Sequence, residues 1–160
     1  MSAKDSFFQK VEDNASKQKA DEEAFKQDIL AFQQDTKALL TDIKSWFDGS
    51  PIKTKTSTMQ MPVDGSTSLF EVATLTLHNG DKTLSITPEG FYYYGVTGSL
   101  TVTIDNPNHA PREFRFSLHW ADSLSQIDGW VIAHSGSVNT QVQRIKFDQE
   151  NFFNMISSFA

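Results

Sequence analysis

The sequence predicts an α+β fold: a long N-terminal helix, an antiparallel meander of seven or eight strands, and a short C-terminal helix. Three observations carry that expectation. Residues 3–47 contain no glycine and no proline and are rich in Ala, Lys, Gln, Glu and Asp, which favour helix. The composition changes at Gly49-Ser50-Pro51, after which short alternating apolar runs follow one another across turn residues. From Asp148 onward the apolar spacing becomes helical again. Strands in a row joined by short turns form an antiparallel sheet, not a doubly wound parallel one.

The helix shows its clearest stripe from Phe25, through Ile29, Phe32, Leu39, Leu40, Ile43, Trp46 and Phe47, with Thr36 filling the expected apolar gap. Phe7, Phe8, Val11 and Ala15 make a weaker upstream stripe, and residues 16–23 are polar apart from Ala20. A helix of this length would run about 67 Å, too long for one small domain to cover. Either it breaks near Ala15–Asp21, with Asp21 as a new N-cap, or its first segment finds a partner. Gly49 and Pro51 end it.

Residues 52–61 read as an edge strand with Lys53 and Lys55 guarding the edge. Residues 69–78 and 82–87 form a hairpin across Asn79-Gly80, a pair that accepts the positive φ of a tight turn. A further turn is expected at Pro88-Glu89-Gly90, then strands over 91–94, 99–105 and 113–120. Phe114, Phe116, Leu118 and Trp120 face inward on the last of these, with Arg115, Ser117 and His119 outward. Residues 130–134 and 142–147 make the final hairpin, and Asp148 caps a helix over 149–159. The chain reads as a single α+β domain over 1–160, with a helical segment (1–48), the sheet (49–147) and the C-terminal helix (148–160). The alternation implies that the helices cover one sheet face.

Charge and composition narrow the function. The net charge is −6, with seven basic and ten acidic residues before Gly49 and the same numbers after it. Neither half is basic, which argues against binding nucleic acid through phosphate neutralisation and against an anionic membrane surface. The chain has no cysteine, which excludes disulfides, a thiol nucleophile and thiolate zinc sites. The first residues lack an apolar secretory core and no run approaches a membrane span, so a cytoplasmic location is expected.

The chemistry-bearing residues are sparse. His78, His109, His119 and His134 show no metal-ligand spacing, and no cofactor or metal is expected. His119 and His134 lie on strands read as neighbours. With Arg115 or Lys146 they define the one enzymatic arrangement on offer, a metal-independent ribonuclease-like hydrolase with one histidine as base and one as acid. No nucleophile elbow, phosphate-binding loop or paired-carboxylate site is present, so the chain is read as a non-enzyme. The run Phe91-Tyr92-Tyr93-Tyr94 directs two aromatics to each sheet face, and tyrosine suits a binding surface. Trp130 is a core residue or an interface anchor. Lys53 and Lys55 flank an edge that a partner strand could extend.

Three stretches, DIKSWFDGSPI (42–52), LTLHNGDKTLSITPEG (75–90) and GVTGSLTVTIDNPN (95–108), resemble a family of uncharacterised small cytoplasmic proteins of Gram-negative bacteria. In size, acidity and lack of cysteine the chain is also similar in type to toxin-immunity proteins. That resemblance implies a protein-binding module that neutralises a cognate, basic toxin domain by occluding its active site. Tyr92, Tyr93 and Tyr94 would anchor the partner, and Asp105, Asp122 and Asp128 would steer it. The alternatives are a chaperone or adaptor that holds a secreted client with the N-terminal helix, and the histidine-based hydrolase. A homodimer through the N-terminal helix is a further expectation.

Overall fold

The computed structural model describes residues 2–62, 69–93, 96–122, 127, 129–135 and 142–160. Within these, side chains are not described at 25, 62, 91–93, 96–97, 121–122 and 135. The chain forms two compact units, residues 1–32 and 33–160.

A helix, α1, runs Ala3–Trp46 without interruption. It passes through Ala15–Asp21 unbroken, so of the two alternatives the break near Ala15–Asp21 is not the one formed. Ala15 to Ala20 contribute no helix-breaking residue, and polarity alone does not stop a helix. In the first unit the described side chains from Ser2 to Ala24 are exposed, including Phe7, Phe8 and Val11.

In the second unit the rest of α1 buries Leu39, Leu40 and Ile43, with Phe47 following. The helix ends through backbone bonds from Phe47 to Lys44 and from Asp48 to Ser45, and the chain turns at Gly49 with φ 80°. That left-handed value is why glycine stands there.

Among the described residues seven strands follow, β1 (Lys53–Pro62), β2 (Leu69–Asn79), β3 (Lys82–Tyr93), β4 (Val96–Asp105), β5 (Glu113–Asp122), β6 (Val131–Ser135) and β7 (Val142–Lys146). They form one antiparallel sheet in sequence order. Asn79 pairs with Lys82, so the tight loop is Gly80-Asp81, one residue later than the Asn79-Gly80 centre expected, with Gly80 at φ 64°. The turn expected at Pro88-Glu89-Gly90 is not made. β3 continues through it, and the register with β4 shifts by one residue between Pro88 and Gly90. Proline lacks the N–H needed for a regular ladder, and the chain absorbs this with an irregularity instead of a reversal.

Cross-strand partners share a face. Leu75, Ile86, Val102 and Phe116 form one such row, and Leu77, Leu84, Ile104 and Phe114 the next. This is the apolar face, buried except for half-buried Phe114. Thr76, Ser85, Thr101, Thr103 and Ser117 on the other face are half-buried. The alternation is not uniform. In β2, Phe70, Val72 and Thr74 are buried on one parity and Leu75 and Leu77 on the other. The change falls where pairing with β3 begins, at Leu75.

Helix α2 (Gln149–Met155) is capped by Asp148, whose carboxylate accepts from Asn151 N at 2.7 Å. A 3₁₀ turn, Ser157–Phe159, follows. Phe152 lies against Phe116 of the apolar face, with ring centroids 6.4 Å apart. The 3₁₀ turn is held there by Asn79 and Asn106, which donate to the carbonyl oxygens of Phe159 and Ser158 at 2.8 Å each. Among the described residues no helix is long and apolar enough to cross a membrane.

Candidate functional site

The site with the most defined geometry lies along β1. Among the described residues this strand ends the sheet and pairs only with β2. In an antiparallel strand alternate residues direct both backbone N–H and C=O to the same edge, so β1 offers a row of hydrogen-bonding groups outward. Beside it, between β1, β2 and the second half of α1, runs a groove of about 540 Å³. Lys37, Thr41 and Lys44 line its helix side, together with buried Leu40. Their spacing of four and three residues puts them on one helix face, the two ammonium groups about two turns apart. Thr56, Ser57, Thr58, Ala73 and Thr74 line the sheet side. No carboxylate is among the described lining residues. Lys53 and Lys55, both exposed, stand on the same strand.

The groove is therefore cationic, rich in hydroxyls and bordered by an open strand edge. These parts suit an extended chain bearing carboxylates. Backbone pairing gives general affinity, and the lysines select for charge. The sequence yields Lys53 and Lys55 as edge residues but not Lys37, Thr41 and Lys44. Read alone, those three are the ordinary polar side of an amphipathic helix. Only the fold turns that side toward a strand edge.

A second polar cluster occupies the face opposite the apolar rows. Glu89 accepts hydrogen bonds from Ser99 Oγ at 2.7 Å and Ser117 Oγ at 3.1 Å. Ser99 is buried, so the carboxylate satisfies a hydroxyl that has lost water. Ser99 is also the cross-strand partner of His119, so a carboxylate, two serine hydroxyls that donate to it and a histidine share this face of the sheet.

The histidine pair does not form. His119 pairs with Val131, and His134 pairs with Gln143. His134 lies three residues beyond Val131 on β6, so it faces the opposite side of the sheet from His119. An odd separation along one strand is enough to defeat the two-histidine arrangement. His78 is exposed near the end of β2, and His109 sits in a turn with Nδ1 3.0 Å from the carbonyl oxygen of Pro111.

Of the expected partner-binding residues, Asp105 has a described side chain. It ends β4, and its carboxylate takes Arg112 in a two-point contact at 2.7 and 3.3 Å. The hydrogen bond from the Arg112 guanidinium, aided by its charge, holds the Asp105 carboxyl below its ordinary range against a weaker desolvation effect. Tyr92 and Tyr93 lie in β3 and Asp122 ends β5, with side chains outside the described residues. Tyr94 and Asp128 lie outside them altogether. Trp130 is half-buried, and its carbonyl accepts from Phe147 N at 3.0 Å.

No protein-family model, curated protein or solved structure matches the chain.

Proposed function

We propose that the protein is a non-enzymatic protein-binding module whose partner lays an extended, acidic segment along β1. The observation that carries this is the juxtaposition of an open strand edge with a groove lined by Lys37 and Lys44 and by no described carboxylate. The partner segment adds an eighth strand, and its carboxylates meet the two helix lysines. Lys53 and Lys55 keep the edge soluble when it is empty, since lysine discourages edge-to-edge pairing between copies.

A photo-crosslinking residue placed at Ser57 in the native host tests this. The expected product is one adduct, identified by mass spectrometry as an acidic, extended segment. It should be lost in the double variant Lys37→Glu/Lys44→Glu. An adduct that survives the charge reversal, or no adduct, overturns the proposal.

Toxin neutralisation by an immunity protein is a second reading, and the net charge of −6 is what favours it. It calls for a basic partner, met by acidic surface away from the β1 groove. Asp105 serves that role poorly, because Arg112 already neutralises it. Growth rescue by co-expression with a toxin encoded beside this chain supports it, and rescue that survives loss of all six expected contact residues removes its stated surface.

A further inference from the structure

We propose that residues 5–26 of α1 pair antiparallel with the same residues of a second copy of this chain. From Ser2 to Ala24 the side chains of the first unit are exposed, whereas Phe32 at its end is buried. Phe7 is 62% exposed, Phe8 53% and Val11 49%. Phe8 and Val11 belong to a longer pattern, with Phe7 on its flank. Positions 8, 11, 15, 18, 22 and 25 repeat at alternating steps of three and four, the seam of a two-helix coiled coil. The seam residues are Phe8, Val11, Ala15, Gln18, Glu22 and Phe25.

The charges beside the seam select the partner and its direction. Asp5, Glu12, Lys19 and Lys26 recur every seven residues on the flank that follows the second apolar position of each repeat. In an antiparallel pair this flank meets its own copy. Two carboxylates in the first half of the segment then face two lysines in the second half: Asp5 against Lys26 and Glu12 against Lys19, each twice by symmetry. All four positions are exposed, and Asp5 reaches across by exchanging its 3.4 Å contact with the Ser2 N–H. A parallel pair places Glu22 against its own copy in the seam, like charges in contact, and offers none of these four pairings. The antiparallel register puts Phe8 over Phe25, Val11 over Glu22 and Ala15 over Gln18. Gln18 and Glu22 weaken such a seam and fix its register, the usual effect of polar residues there. The segment carries more carboxylates than lysines, so an anionic bilayer does not attract it.

Sedimentation equilibrium on the full chain at about 100 μM tests the pairing. The expected species is a dimer. The variants Lys19→Glu/Lys26→Glu and Asp5→Lys/Glu12→Lys should each dissociate, with a dissociation constant raised about tenfold or more. Mixed in equal amounts they should dimerise again, since one flank is then all acidic and the other all basic. All four positions are exposed, and circular dichroism confirms that the helix survives the changes. A native chain that stays monomeric, or a dimer indifferent to both reversals, overturns the proposal. The chain has no cysteine, so a nitroxide at Ser6→Cys reports direction cleanly. The antiparallel register separates the two labels by about 32 Å along the axis. Labels separated only by the interhelix spacing of about 10 Å refute it.

Discussion

Trp120 Nε1 donates to Asp35 Oδ2 across 2.8 Å, joining β5 to the second half of α1. The bond gives the indole N–H an acceptor where its ring is half-buried. Asp35→Ala should lower stability by about 1 kcal/mol. Asp35→Asn keeps an acceptor oxygen and should cost less. The urea midpoint measures both, and equal losses would show that the contact does not depend on an acceptor at this position.

Asn106 joins two turns. Its Nδ2 donates to Ser158 O at 2.8 Å, and its Oδ1 accepts from Asn108 N at 3.0 Å. The side chain is buried, so Asn106→Ala leaves both partners without their bond. A loss of about 1–3 kcal/mol is expected. Hydrogen exchange should show the 3₁₀ turn over 157–159 opening first, because Asn106 holds it from outside.

The Asp105–Arg112 pair makes a pH prediction. The folded carboxyl is held below its ordinary range, so the unfolded chain binds the proton more readily. The pair's stabilisation is present above the ordinary carboxylate pKa and is lost as pH falls through the lowered folded value. Both groups are well exposed, so solvent screens the effect. Carbon NMR of the Asp105 carboxyl should show its midpoint rise in Arg112→Ala. An unmoved midpoint would exclude Arg112 as the cause.

Much of this fold is legible in the sequence because local chemistry and global packing agree there. Asp148, Gly49 and Gly80 act where their residue types suggest. Phe116 and Leu118 bury as their alternation requires. Pro88-Glu89-Gly90 misleads because these residues mark both turns and irregular strands, and only the pairing with β4 distinguishes the two. The site was less legible still. Histidine face depends on register, which no single strand encodes, and Lys37 and Lys44 acquire meaning only beside β1.

Phe152 is the residue through which α2 meets the sheet. It is fully buried, and its ring lies 5.6–6.4 Å from those of Trp46, Phe116, Phe147 and Phe153. Phe152→Ala should cost about 3–5 kcal/mol, because four aromatic neighbours cannot all close on the space left. Phe153 is more exposed, and Phe153→Ala should cost less. Thermal or urea unfolding of the two variants gives the comparison. Equal losses would mean that Phe152 does not anchor the helix.

Thr36 occupies a position that the apolar stripe of α1 would assign to a hydrophobic residue. It is fully buried, and among the described residues its hydroxyl has no hydrogen-bond partner. The desolvation of that oxygen is therefore uncompensated, at about 1–3 kcal/mol. Valine has nearly the same shape and the same stiffness at χ1, so Thr36→Val removes the polar atom without opening a cavity. Thr36→Val should raise the urea midpoint by the equivalent of about 1 kcal/mol, with Thr36→Ala lower than Thr36→Val because the methyl groups are lost. Thr36→Ser keeps the hydroxyl and loses a methyl, and should be the least stable of the four. A Thr36→Val midpoint below that of the native chain would mean that the hydroxyl is satisfied in solution, and would place a bound water or a helix carbonyl beside it.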